Sequence, residues 1–210
     1  IKMGNTRHRI EGDKLSSFER SRLLYVTTAK YEGDWQSILH SHPFSELFYV
    51  VSGNGSFLAE DTEFPVGRND MVIINPHVQH TEKSLKTKPL EYIVLGIEGL
   101  SFSFENITTT QEGITIHTAS AAVHKYNMQH SNIYAYLNIM LEEISHKEEN
   151  YEAVCQNLLE VLLTCMVRNN HLSIIPSGNS TLNRECTQIK NYIDANYSEN
   201  ITLDTLAAIT

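Results

Sequence analysis

Basic residues are scarce in this sequence: 16 Lys and Arg stand against 25 Asp and Glu, a formal net charge of −9 over 210 residues. Binding to nucleic-acid phosphates needs a cluster of cations. None is visible along the chain, so the stretch as a whole is not built to bind nucleic acid. Long apolar runs are also missing. No window reaches the ~18 apolar residues of a membrane helix, and no membrane partner is expected. The opening residues, Ile1-Lys2-Met3-Gly4-Asn5-Thr6-Arg7, lack the apolar centre of a secretion signal. Cysteine is rare. Cys155, Cys165 and Cys186 are odd in number and lack metal-ligand spacing, and the first two sit in an apolar helical pattern. All three are expected to be reduced core thiols of a cytoplasmic protein. Internal repeats and low-complexity tracts are absent.

What remains is an ordinary globular composition, 41% hydrophobic and 20% charged, enough for a real core and unlike a disordered chain. Up to about Thr118 the chain reads as β. Short segments rich in β-branched and aromatic residues recur at 23–29, 46–51, 56–59, 71–74 and 91–97. Turn signals separate them, at Ser52-Gly53-Asn54-Gly55, from Pro65 to Asp70, and at Asn75-Pro76. Many short strands at regular spacing predict a sandwich or barrel.

From about Ser120 to Asn170 the period changes to three and four. Ile133, Leu137, Met140, Leu141 and Ile144 form one stripe, and Tyr151, Val154, Cys155, Leu158, Leu159, Leu162, Cys165 and Met166 form another. The polar break at 145–150 is short, which predicts an antiparallel helix pair. Val161, Leu163 and Val167 fall outside the second stripe. A helix apolar on two sides buries both, either against a partner subunit or within one core. Ile175-Pro176-Ser177-Gly178-Asn179-Ser180 is composed like a linker. Beyond it, Cys186, Ile189, Tyr192, Ile193 and Tyr197 mark a helix, and Thr202 is placed to cap another carrying Leu203, Leu206, Ala207 and Ile209.

The stretch richest in chemistry is His40-Ser41-His42-Pro43-Phe44-Ser45-Glu46, with Gly53 seven residues on. On a strand His40, His42 and Glu46 share one parity and point to one side. His80, four residues after Pro76, is placed to add a fourth group at the end of the strand 71–74. Buried imidazoles and carboxylates are costly unless paired, so contacts among these side chains are expected. Three readings stay open: a bound metal, a polar lining for a small organic ligand, and structural histidines with no ligand role. The first two also call for a cavity, with Trp35, Phe44, Phe48 and Tyr92 as candidate apolar walls. His77, His124, His130 and His171 have no partner pattern and read as surface or packing residues.

The pattern His-x-His-x-x-x-Glu with its glycine resembles the first cupin motif, and Gly67, Asp70, Pro76 and His80 resemble the second. The resemblance implies a divalent metal such as Zn, Fe, Ni or Mn held by His40, His42, Glu46 and His80. The second motif departs from the enzyme pattern Pro-x-Gly-x-x-His, being one residue shorter and without the glycine. It is instead similar to the sensor domains of AraC-type transcription regulators, as is the strand 45–53. A second likeness lies in Tyr192-Ile193, Tyr197 and Ile201-Thr202-Leu203 followed by Leu206-Ala207, which resemble the opening of the AraC-type DNA-binding domain.

The combined resemblance implies a β-rich plus α protein. A cupin-type (jelly-roll, double-stranded β-helix) ligand-sensing barrel occupies 1–118, dimerisation helices 119–175, a linker 176–184, and the start of a helix-turn-helix domain 185–210. The base-reading helix is expected beyond Thr210, so no DNA-contacting residue is assigned here. The implied protein is a cytoplasmic regulator and no enzyme. It takes a small-molecule effector, such as a sugar, at His40, His42, Glu46, His80, Phe48, Trp35 and Tyr92, pairs as a homodimer through helices near 133–144 and 151–166, and reaches DNA through the full-length protein. The competing reading is a metal-dependent cupin enzyme, a dioxygenase or isomerase. A binding or storage protein with no DNA role requires the likeness after Cys186 to be accidental.

Overall fold

The computed structural model describes residues 21–30, 38–104, 109–110, 113–117, 121–126, 132–170, 172–176, 189, 192–193 and 201–207. The strands are β1 (Arg22–Lys30), β2 (Ser45–Ser52), β3 (Asn54–Ala59), β4 (Thr62–Gly67), β5 (Asp70–Ile74), β6 (His80–Ser84), β7 (Glu91–Glu98), β8 (Leu100–Phe104), β9 (Thr109–Thr110), β10 (Gly113–His117) and β11 (Ala121–Tyr126). Then come helices α1 (Ile133–His146) and α2 (Tyr151–Asn170), strand β12 (Leu172–Pro176) and a short helix α3 (Leu203–Ala207).

Among the described residues the strands form a seven-stranded antiparallel sheet, ordered β1-β7-β2-β5-β11-β10-β9, a three-stranded sheet β4-β3-β6, and the pair β12-β8. Side-chain alternation splits the large sheet into two faces. Tyr49, Met71, Ile73, Ile93, Leu95 and Ile97 point one way, into a cluster completed by Leu137, Met140, Leu159, Leu162 and Met166 of the helices. Phe48, Val50, Val72, Ile74, Tyr92 and Val94 point the other way and meet Phe57, Ala59, Phe64 and Val66 of the small sheet. Two sheets face to face with a helix pair on the outside make a cupin-like, β-rich fold, as expected. The site lies in the inter-sheet layer.

Helix α1 ends at Lys147, whose φ of 50° is left-handed and whose N–H reaches Glu143 O. The turn at 147–150 then brings α2 back along α1, as the short polar break predicted. Leu163 is fully buried and Val167 packs on the same cluster, so both serve one core. Val161 alone of the three extra apolar residues stays exposed, at 42%.

Four local expectations need correction. Pro65 and Val66 belong to β4, not to a turn, and the turn is confined to Arg68–Asn69. Proline is tolerated there because β4 is an edge strand, where a missing N–H costs no ladder bond. His80 opens β6 instead of closing the strand 71–74. Residues 121–126 extend the large sheet beside β5, so the β region runs past 118. Ile175 and Pro176 are not linker but the end of β12, paired to β8 with Ile175 opposite Ser101 and Pro176 opposite Leu100. The helix expected after Thr202 is present, and Thr202 Oγ1 accepts the Thr205 N–H at 3.2 Å. Trp35, Cys186 and most of the segment 177–200 lie outside the described residues.

Candidate metal and ligand site

Glu46 comes from the large sheet and His80 from the small one, so the site sits where the two sheets come together. The strand β2 begins only at Ser45, with Pro43 just before it, so His40 and His42 do not share a continuous strand with Glu46. Backbone pairing holds them instead. His40 and His80 exchange both hydrogen bonds, at 3.0 and 2.9 Å, and His77 N–H reaches His42 O at 2.8 Å. The left-handed turn before His80 falls on His77, at φ 64°.

The four predicted residues meet: one donor atom from each of His40, His42, Glu46 and His80 lies within 4.8 Å of every other. His80 is fully buried and Glu46 is 6% exposed, His42 is half-buried, and His40 is exposed at the rim. The rings of His42 and His80 stand 4.9 Å apart, and Phe44 stacks on His42 at 4.1 Å.

The hydrogen bonds set the proton inventory. Nδ1 lies against a backbone carbonyl in each ring: Ile38 O for His40 at 2.9 Å, Phe44 O for His42 at 2.7 Å, and Val78 O for His80 at 2.9 Å. A carbonyl only accepts, so each Nδ1 carries the proton and, in the neutral ring, Nε2 presents a lone pair. His42 Nε2 is 2.6 Å and His80 Nε2 3.1 Å from the same carboxylate oxygen, Glu46 Oε2. Lone pairs facing a carboxylate repel. Positive charge between them resolves the conflict, as second protons on the rings or as a metal ion.

The titration directions agree. Burial pushes Glu46 up, but the hydrogen bonds from His42 and His80, the charge on His42 and the Tyr25 hydroxyl outweigh it and bring the carboxyl down to about 2. Burial lowers His80, yet its hydrogen bond to Glu46, the Val78 carbonyl and the Glu46 and Glu82 charges raise it on balance. Three imidazole nitrogens and one carboxylate, with histidine tautomers already set, fit a Zn, Fe, Ni or Mn ion.

Phe48 and Tyr92, expected as apolar walls, are both buried beside the ring. Phe48 lies 6.3 Å from the His80 ring and 5.5 Å from that of Tyr92. Tyr92 is more than a wall, since its hydroxyl donates to the buried Glu82 carboxylate at 2.5 Å. Glu82 was missed in the sequence, although it follows His80 by two on β6 and so shares its face. Tyr25, whose hydroxyl donates to Glu46 Oε1, was also missed. An open cleft of about 470 Å³ lined by Lys30, Arg68, Lys88 and Glu91 lies at the other end of the barrel and is not part of the ring.

Comparison with known proteins places the chain in a family. An uncharacterized HTH-type transcriptional regulator of Bacillus subtilis (strain 168), YbfI, is 20% identical over 194 residues, 89% of this chain and 66% of the relative. The chain therefore spans just under two thirds of that relative's length. Solved structures give partial likenesses. A cupin protein from Bacteroides fragilis is 13% identical with TM-score 0.33, over 45% of this chain and 86% of that one. A cupin-like protein from Thermotoga maritima is 21% identical with TM-score 0.33, over 36% of this chain and 65% of that one. The model of the AraC-like ligand binding domain matches residues 24–163, a span that takes in the whole donor ring and helix α1. It covers more than half of the sequence, and the chain belongs to the AraC-like ligand binding domain family.

Proposed function

We propose that this chain is the sensing part of a ligand-responsive transcription regulator, with a small molecule as effector, such as a sugar, binding at His40, His42, Glu46 and His80. The observation that carries this reading is the shared acceptor: two histidine Nε2 atoms, their Nδ1 protons already committed to carbonyls, face one oxygen of a buried carboxylate. Such a cluster attracts a divalent cation, which when bound supplies a positive centre for oxygen atoms of a ligand. His40 stands exposed on the open side, where an incoming molecule first meets the ring. Phe48 and Tyr92 give it an apolar back wall, with Glu82 behind Tyr92.

The helix pair is the proposed homodimer surface. Tyr134, Ile139, Val154 and Val161 remain exposed on α1 and α2 after the core is satisfied, and a second copy would cover them. DNA binding belongs to the full-length protein, through a helix-turn-helix domain of which the segment from about 185, including α3, is the opening. The test is duplex binding by the full-length protein. Affinity is expected to fall steeply with salt and to change when effector is added; no binding at low salt removes the regulator reading.

A second reading, a metal-dependent cupin enzyme, is favoured by one observation: the exposed His40 edge leaves the ring open to a substrate. Elemental analysis decides the metal. Turnover of candidate sugars or phenols with added Fe or Mn would move the assignment to the enzyme.

A further inference from the structure

We infer that Tyr25 is a positioning residue for the ring: it holds Oε1 of Glu46 so that Oε2 alone is presented to His42, His80 and a bound divalent cation. The inference rests on the metal form of the reading above. Its basis is a row of three residues on adjacent strands. In the ladders Tyr25 of β1 pairs with Gly96 of β7, and Gly96 pairs with Glu46 of β2. One strand, β7, separates the tyrosine from the glutamate, and the ring crosses it over Gly96 to bring its hydroxyl to Glu46 Oε1.

That crossing depends on two local features. The first is the absence of a side chain at Gly96, where a Cβ would lie 2.4 Å from Tyr25 Cε1 and 2.7 Å from Cζ. The second is an irregularity in β1, where the register shifts between Leu23 and Tyr25. Leu23 and Val26 pack on the helix-facing cluster while Tyr25 packs in the inter-sheet layer. Strict alternation from Leu23 would send Tyr25 to the helix side, and the extra residue turns it over. Gln156 of α2 pins this kink, accepting the Leu23 N–H and donating to Ser21 O, both at 2.9 Å. Phe44 meets the Tyr25 ring edge-on at 5.8 Å and limits its swing.

The consequence is a one-oxygen carboxylate ligand. With Oε1 engaged by the hydroxyl, Glu46 has one oxygen left for the cation, and the hydrogen bond fixes which one. Outer-sphere partners of this kind typically change metal affinity by about 10–100-fold.

The test uses the 210-residue chain, with Co2+ as the probe, added to metal-stripped protein. Binding is followed by chelator competition and by the visible d–d spectrum. Tyr25→Phe keeps the ring and removes the hydroxyl. It is expected to weaken Co2+ binding about tenfold and to alter the d–d bands, with near-wild-type unfolding of the stripped protein. Gly96→Ala, which displaces the ring without deleting the hydroxyl, is expected to alter the bands in the same direction. Equal affinity and identical spectra for wild type and Tyr25→Phe would overturn the positioning role. So would a phenolate-to-metal charge-transfer band in Fe3+-loaded wild type that Tyr25→Phe abolishes, since Tyr25 would then be a ligand itself. Failure of the wild type to bind Co2+ would instead sink the metal reading on which the inference stands.

Discussion

His42 and His80 share a single acceptor, Glu46 Oε2 of the large sheet, approached at 2.6 Å from the segment before β2 and at 3.1 Å from β6 of the small sheet. The negative charge on that oxygen therefore holds the two layers together at this end. Glu46→Gln keeps the shape and removes the charge. In the metal-stripped protein it is expected to cost about 3 kcal/mol, the usual loss when one partner of a buried pair is removed. Urea unfolding measures it, and an unchanged midpoint would mean that the rings do not lean on the carboxylate.

The same contacts set a pH window for the metal-stripped protein. Glu46 is lowered from 4.5 to about 2, so its contribution is fully present above 4.5 and fades as pH falls toward 2. His80 is raised above 6.5, so its contribution is complete below 6.5 and is lost as pH climbs through its folded value. Stability from this pair is expected to peak between about 4.5 and 6.5. Urea midpoints measured across pH 3 to 9 for wild type and His80→Gln check this; parallel profiles for the two proteins would assign the alkaline limb to other groups.

Gly53 ends the β2–β3 connection at φ 84°, and a Cβ there would lie 1.9 Å from Pro89 O. Gly53→Ala meets both a disfavoured backbone and a wall of main chain, with a cost of about 2 kcal/mol or more. Thermal unfolding is the measurement, and a loss below a few tenths of a kcal/mol would show that this loop re-forms easily.

Asn75 grips β8 like a strand, donating to Phe102 O and accepting from Phe102 N–H, both at 2.7 Å. Removing both bonds in Asn75→Ala is expected to cost about 2 kcal/mol. Amide exchange in β12, which pairs with β8, should accelerate along with that in β8. If β8 alone exchanges faster, the two strands are held independently.

Ile139 and Val161 are 40% and 42% exposed on the helix pair. Changing both to Glu puts charge on the proposed dimer surface while leaving the packed side alone. Sedimentation should then report a monomer with wild-type circular dichroism, and an unchanged dimer would move the interface elsewhere.

Much of the ring was readable from residue spacing because it uses neighbours in sequence. His42 and Glu46 sit close to the start of one strand, and Pro76 marks the turn before His80. Their common side was foreseen from strand parity, although Pro43 breaks that strand and backbone bonds to His80 and His77 do the placing. Tyr25 was hidden because a single extra residue in β1 reverses its parity, and nothing in Leu23-Leu24-Tyr25 marks the slip. Strand β11 was hidden for a different reason. Ala121-Ala122-Val123 suits a helix locally, and only the open edge of β5 recruits it into a sheet. Thr202 was readable because capping is local chemistry, complete within three residues.

The ladder between β8 and β12 gives whatever follows Pro176 a fixed point of departure. Ser45, next to Glu46, donates to Leu100 O at 3.0 Å, and Leu100 faces Pro176 across the ladder. The end of β12 is thus stitched to the wall of the ring through β8, while Ile174 packs on the helix-side cluster. Truncation at the end of α2 would strip the barrel of this seam, whereas a chain kept through Pro176 would carry its outgoing direction with it.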